Sequence, residues 1–235
     1  MLPAMRIVEI FRSIQGEGTR TGEPCTFVRL AGCNLQCAWC DTPCAQDVAG
    51  VVKTIPEIVA ETLSAGTGSV CVTGGEPLLQ PGTPDLVRAL LSAGREVVVM
   101  TNGSLQMHAI PPAAILAVDI KTPWAHESAS NTVPGGRAPD RVDLPEPPHL
   151  DRSNLQRLSK RDEVKFVVRD RREFEWAALW ADRVGLFDIV GTVLVGPAWD
   201  ELDAGTVADW ILESGLPIRL NVQLHKILWG PGTRR

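Results

Sequence analysis

The amino-acid sequence predicts an α/β fold built on a mainly parallel sheet, and three observations carry that prediction. Short apolar runs rich in Val and Ile alternate with segments of helical period along most of the chain, and such repetition demands parallel strands joined by crossover helices. The last apolar run alternates strictly, so one of its faces is wholly polar. With 235 residues, 44% of them hydrophobic, the chain can bury one substantial core, and a single domain over 1–235 is expected.

Taken in order, strands are expected at RIVEIF (6–11), CTFVRLAG (25–32), SVCVTGG (69–75), EVVVMTNG (96–103), LAVDIKT (116–122), EVKFVV (163–168), DIVGTVLVG (188–196) and PIRLNVQLH (217–225). Helices are expected at 55–66, 83–94, 171–185 and 203–215, where apolar residues recur at i, i+3 and i+4. The first two open on Thr-Ile-Pro and Thr-Pro, a capping hydroxyl with proline close behind. Residues 122–162 break the rhythm with NTVPGGRAPDRVDLPEPPHLDRS and only a short helical hint at SNLQRL, so this Pro/Gly-rich insertion is expected to act as a lid or a tether. In the final run Ile218, Leu220, Val222 and Leu224 are expected to face one way and Arg219, Asn221, Gln223 and His225 the other. That polar face is either the wet side of an edge strand or the lining of a ligand cavity.

The opening MLPAMRIVEIF lacks the basic flank and long apolar run of a signal peptide, and no stretch approaches about 18 apolar residues. A soluble, cytoplasmic protein is expected, with Met5 beginning its structured part. Net charge is −5 and the basic residues are dispersed, which argues against nucleic acid or a membrane as partner.

Six cysteines in a reducing compartment point to metal binding, catalysis or burial rather than disulfides. Cys25 and Cys71 fall inside apolar strands and read as inert thiols. Cys33, Cys37 and Cys40 form CxxxCxxC. A [4Fe-4S] cube held by three thiolates leaves its fourth iron open to a small molecule. Zinc is the alternative, but it wants four N or S ligands, and the sequence offers nearby only Cys44, which could instead close the cluster.

With Trp39 before its last cysteine, CxxxCxxC resembles the signature of the radical S-adenosylmethionine enzymes. The resemblance implies a [4Fe-4S] cluster whose open iron chelates S-adenosyl-L-methionine, and reductive cleavage of that cofactor to a 5′-deoxyadenosyl radical. It implies a partial, open (β/α) barrel of the radical S-adenosylmethionine type and an electron donor such as a flavodoxin or ferredoxin. Thr73-Gly74-Gly75-Glu76-Pro77 matches the family's GGEP segment, and Asn102, Asp119, Ile120 and Lys121 stand at ends of later strands where family members contact the cofactor. Trp39, Gly74, Gly75, Glu76, Asn102, Asp119, Ile120 and Lys121 are therefore the expected cofactor contacts.

SIQGEG (13–18), VRLAGCNLQCAWCDT, VTGGEPLLQ, DEVKFVV and LNVQLHK together resemble the 7-carboxy-7-deazaguanine synthase family. This implies a lyase that contracts 6-carboxy-5,6,7,8-tetrahydropterin with loss of ammonia, assisted by Mg2+, in a homodimer. Glu17 is the natural acceptor for the pterin's amino edge, with Gln15 beside it and the backbone of Ile14 and Gly16 free to approach a flat ring. Arg29 suits the substrate carboxylate, Thr42 the Mg2+ shell, and Thr73, Gln223 and His225 complete the expected substrate contacts. Two rivals stand: a glycyl-radical-enzyme activase of the same superfamily, and a non-enzymatic iron-sulfur or zinc module.

Overall fold

The computed structural model describes residues 4–47, 49–127 and 144–231. Nine strands form one sheet: β1 (Ala4–Ile14), β2 (Pro24–Leu30), β3 (Val51–Thr54), β4 (Ser69–Gly74), β5 (Glu96–Thr101), β6 (Ile115–Asp119), β7 (Glu163–Val168), β8 (Thr192–Pro197) and β9 (Ile218–Leu220), in the order β3-β1-β2-β4-β5-β6-β7-β8-β9. From β2 to β9 every neighbour is parallel, while β1 is antiparallel to both β2 and β3. The sheet stays open, with β3 and β9 at its edges, as the open barrel requires.

Helices α1 (Ile55–Ser64), α2 (Thr83–Ser92), α3 (Arg171–Arg183), α4 (Leu186–Ile189), α5 (Ala204–Ser214) and α6 (Leu224–Trp229) complete the fold. Period-2 alternation divides each central strand. Val28, Val70, Val72, Val97, Val99, Val118, Val164, Phe166 and Val195 belong to the main core with the apolar stripes of the helices. The alternate positions, Phe27, Arg29, Met100, Asp119, Lys165 and Val167, turn to the other face and line a cavity. Fully burying each such Val or Phe contributes about 1.5–3 kcal/mol, so the helix-covered face fixes the register that presents the polar one.

Thr54 caps α1 as expected, its backbone N–H and hydroxyl both donating to Glu57 at 2.7 Å. Thr83 does not cap α2. Gly82 occupies that position, and the Thr83 hydroxyl donates to the Pro77 carbonyl at 2.5 Å. Strand β3, unforeseen because VVKT is short and unalternated, pairs with Ala4–Ile7, so the structured part includes Ala4 and does not begin at Met5. Asp188 and Ile189, expected to open β8, lie in α4.

The final strand corrects the sequence reading most. β9 ends at Leu220, paired with Val195, and the last ladder-like bond runs from Asn221 N–H to the Val195 carbonyl at 2.9 Å. Beyond it the partner strand reaches Pro197, which has no N–H to offer, and Gly196 lies so close that a Cβ there would stand 2.2 Å from the Asn221 oxygen. The chain therefore leaves the sheet and winds into α6, and Val222, Leu224, Gln223 and His225 do not share strand faces.

The proposed insertion is also narrower than 122–162. Trp124 packs edge-on against Trp176 at 6.3 Å, Ala125 is fully buried, and Trp176 Nε1 donates to the Pro145 carbonyl at 2.9 Å. Asn154 is buried, donating from Nδ2 to the Gly103 and Leu105 carbonyls, in a short 3-10 helix where SNLQRL hinted at one. The rest of that expected insertion, 128–143, lies outside the described residues. No helix among the described residues is long and apolar enough to cross a membrane.

Candidate active site

A cavity of about 460 Å³ runs along the polar face of the sheet, within the range of small-ligand sites. Its wall includes Cys33, Cys37, Trp39, Cys40 and Thr42 from the loop after β2, Thr73 and Gly74 from the end of β4 with Gly75 just beyond, and Asn102 after β5. Asp119 and Arg29 come from the strands, Lys121 from just after β6, Ile14, Gln15, Gly16 and Glu17 from the end of β1 and just beyond it, and Gln223 and His225 from the turn into α6. An open depression of about 610 Å³ near Glu146, Arg152 and Arg183 shares none of these residues.

The three thiols are half-buried, whereas Cys44 is exposed at the rim. Burial pushes the Cys37 thiol up to about 11 and raises Cys33 as well, so a metal must displace their protons on binding. Among the described residues no three His, Cys, Asp or Glu side chains converge on a single ion. A cube presents its irons at separate corners, and three soft thiols spaced around one end of a cavity fit it. The glycines make room there. A Cβ on Gly74 would lie 2.3 Å from the Leu30 oxygen, and one on Gly75 would lie 2.6 Å from the Cys33 Cβ and 2.4 Å from the Gly32 oxygen. Trp39 walls the same end with Arg169 stacked 4.4 Å from its ring, and its buried Nε1 has no partner among the described residues. Cys25 and Cys71 are buried in their strands, as expected.

Two expected cofactor contacts sit elsewhere. Ile120 points into the apolar core, and its N–H donates to the Lys165 carbonyl at 2.9 Å. Glu76 is fully buried outside the cavity. Its Oε1 accepts from Leu78 N–H at 2.9 Å and the Thr101 hydroxyl at 2.8 Å, and its Oε2 accepts from Asn102 N–H at 2.7 Å. Burial nevertheless raises its pKa, with those three donors working against the rise. Glu76 therefore ties the GGEP turn to the end of β5, and holds Asn102 in the wall, instead of facing a ligand.

At the other end Glu17 is held from two sides: Lys165 Nζ lies 2.7 Å from Oε2, and Gln223 Nε2 donates to Oε1 at 2.9 Å. Its loop is pinned by Asn221, whose Oδ1 accepts from Gly18 N–H at 2.8 Å, and by Glu163, whose Oε2 accepts from Thr19 N–H at 2.8 Å. Gly16 lies under His225, where a Cβ would stand 2.0 Å from Nδ1 and 2.8 Å from Cγ. Arg29 pairs through Nε with Glu9 Oε1 at 2.8 Å, and its Nη1 donates to the Thr42 hydroxyl at 3.3 Å. Thr42 in turn donates to Asp41 at 2.9 Å, and Lys226 and Lys165 hold the Asp41 carboxyl low against the burial that would raise it.

Lys165, Asp41, Glu9 and Lys226 line the cavity but were not among the expected site residues. Lys165 left a signal. In EVKFVV it alternates with Val164 and Phe166 in an inner strand of a parallel sheet, a buried position where a charge needs a polar enclosure.

The family model described as the radical SAM superfamily matches residues 28–118, the stretch carrying the cysteine loop and the glycine turn. That match spans less than half of the chain, but relatives along nearly all of it make the protein a radical S-adenosylmethionine enzyme, of the class that uses a [4Fe-4S] cluster with that cofactor and needs a reductant. Among curated proteins it is 35% identical to the 7-carboxy-7-deazaguanine synthase of Koribacter versatilis, over 98% of this chain and 99% of that one. It is also 35% identical to that of Chlorobaculum tepidum, over 98% and 96%. The chain belongs to the 7-carboxy-7-deazaguanine synthase family. The crystal structure of QueE from Escherichia coli shares the fold, with a TM-score of 0.68 and 20% identity over 94% of this chain and 95% of that one.

Proposed function

We propose that the protein converts 6-carboxy-5,6,7,8-tetrahydropterin to 7-carboxy-7-deazaguanine with loss of ammonia, acting as a single cytoplasmic domain with its cofactor at one end of the cavity and the pterin at the other. The observation that carries this reading is the shared cavity itself, lined at once by Cys33, Cys37 and Cys40 and by Gln15, Glu17, Gln223 and His225. When bound, the cluster and S-adenosyl-L-methionine supply a carbon-centred radical able to take a hydrogen atom from an unactivated position.

The chain's own residues bind and orient. Cys33, Cys37 and Cys40 would hold the cluster. Trp39, Gly74, Gly75, Asn102, Asp119 and Lys121 would enclose S-adenosyl-L-methionine, with the Lys121 ammonium suited to its carboxylate. Glu17 would accept from the pterin's 2-amino and ring N–H edge, and Gln15 would donate or accept beside it. Arg29 offers a forked donor set to the substrate carboxylate, and Thr42, adjacent to Asp41, offers a hard oxygen beside a carboxylate for a mostly hydrated Mg2+. His225, His-on-glycine against Gly16, would close the ring plane, and Ile14 and Thr73 complete the wall. A flavodoxin or ferredoxin as donor, and a homodimer, rest on the family resemblance.

The test is anaerobic reconstitution followed by S-adenosyl-L-methionine cleavage with and without the carboxypterin. Cleavage that depends on the pterin is expected. Cleavage that instead depends on a glycyl-radical partner protein favours the activase, and no binding of S-adenosyl-L-methionine at all favours a metal-binding module.

A further inference from the structure

Four charged groups of alternating sign join the two ends of the cavity. Lys121 Nζ lies 2.9 Å from Asp119 Oδ1, Asp119 Oδ2 lies 3.0 Å from Lys165 Nζ, and that same ammonium lies 2.7 Å from Glu17 Oε2. Side-chain exposure along the chain is only 10% to 20%. Burial works against the charges of Asp119, Lys121 and Lys165, yet the two lysines hold Asp119 below the usual carboxylate range, and Asp119 holds both lysines above theirs. These three stay ionised at neutral pH. In so enclosed a setting, shifting one charge alters the balance at the next far more than it would in water.

We propose that Lys165 is a positioning residue that couples the two ligand sites, so that S-adenosyl-L-methionine bound against Lys121 prepares Glu17 for the pterin. The inference rests on the assignment of these two ends to cofactor and substrate. In the ligand-free chain Lys165 is shared between two carboxylates, and both Glu17 oxygens are engaged, one by Lys165 and one by Gln223. A carboxylate that engages Lys121 draws that ammonium from Asp119. Asp119 then depends on Lys165 alone among these lysines, the shared ammonium moves toward it, and Glu17 Oε2 opens to the donor edge of the pterin. No bond is made or broken, only the distribution of one cation between two anions. The coupling is positive and, being thermodynamic, reciprocal.

The experiment is calorimetric titration of 6-carboxy-5,6,7,8-tetrahydropterin into anaerobic, cluster-loaded protein, with and without S-adenosyl-L-methionine, without reductant. In the wild type the cofactor is expected to tighten pterin binding by about fivefold or more, the lower bound for typical coupled sites. In Lys165→Met that factor falls to about one, whereas Lys165→Arg, which keeps the shared cation, retains most of it. A second measurement uses the wild type alone: 5′-deoxyadenosine with methionine should tighten pterin binding, and 5′-deoxyadenosine without methionine, lacking a carboxylate for Lys121, should not. Equal factors in wild type and Lys165→Met, or an equal effect of 5′-deoxyadenosine alone, overturn the coupling and leave the substrate assignment standing. A wild type that binds no pterin under any of these conditions overturns both.

Discussion

Gly75 and Cys33 are packed so closely that a Cβ on the glycine would lie 2.6 Å from the cysteine's own Cβ. The GGEP turn is therefore one wall of the cysteine loop, and the loop's backbone is braced by it. Gly75 N–H donates to the Leu30 carbonyl at 3.3 Å and Glu76 N–H to the Gly32 carbonyl at 2.9 Å. Gly75→Ala must push the loop away, at a cost of roughly 1–3 kcal/mol for overpacking. Iron and sulfide per chain after reconstitution should fall clearly below wild type while far-ultraviolet circular dichroism stays unchanged. Full cluster loading in this variant would mean that the two loops are not mechanically joined.

The cysteines themselves should separate into two groups. Cys33→Ala, Cys37→Ala and Cys40→Ala should each abolish the [4Fe-4S] absorption, and Cys44→Ala, at the exposed rim, should keep it. Electron paramagnetic resonance of the reduced protein checks this, because added S-adenosyl-L-methionine should shift the Cys44→Ala spectrum as it does that of wild type. Loss of the cluster in Cys44→Ala would reassign the ligands.

Substrate and cofactor ends should respond to different substitutions. Glu17→Gln turns an acceptor into a mixed group against donors and should weaken pterin binding by roughly 1.5–3 kcal/mol, the range for hydrogen bonds to charged groups. Arg29→Lys should act on the same ligand, since an ammonium cannot reproduce a forked contact. S-adenosyl-L-methionine, titrated alone, should bind Arg29→Lys as it binds wild type and should lose no affinity in Glu17→Gln, where Lys165 is released toward Asp119. Equal losses for the two ligands would make the SIQGEG segment scaffold.

His225 provides a pH test with a definite sign. Burial outweighs the pull of Glu17 and Asp41 and lowers its pKa from the ordinary 6.5. The unfolded chain then binds a proton more readily than the folded one, so the neutral ring's contribution to stability is complete above pH 6.5 and is lost as pH falls through the folded value. Nuclear magnetic resonance titration of the ligand-free protein should give a His225 midpoint below 6.5, and His225→Gln should flatten the corresponding part of the stability curve. A midpoint at or above 6.5 would mean that Glu17 and Asp41 dominate instead.

The legible and illegible parts of this molecule differ for physical reasons. Strands such as SVCVTG and EVVVMT announce themselves because both faces of a parallel sheet are covered, and α1, α2, α3 and α5 because one stripe of each must meet the core. The cysteine triplet and the glycine turn were readable because ligand spacing and close backbone approach are local properties. Lys165 was not placed in the site, since its partners Glu17 and Asp119 are distant in sequence and only the topology brings them within 3.0 Å. LNVQLHK misled for the opposite reason. Its alternation fits a strand, but the strand needs a partner's N–H, and Pro197 ends the supply. Glu76 matched a family motif correctly in sequence, while its burial beneath Asn102 and Thr101 depended on where β5 ends.

Product formation is the most direct test of this activity. Anaerobic, reconstituted protein given S-adenosyl-L-methionine, Mg2+, a reductant and 6-carboxy-5,6,7,8-tetrahydropterin should yield 7-carboxy-7-deazaguanine by liquid chromatography and mass spectrometry. One ammonia should be released per product, and the S-adenosyl-L-methionine should be recovered undiminished. Accumulation of 5′-deoxyadenosine with no deazaguanine, from protein whose cluster is fully loaded, would contradict the assignment of this cavity to a pterin.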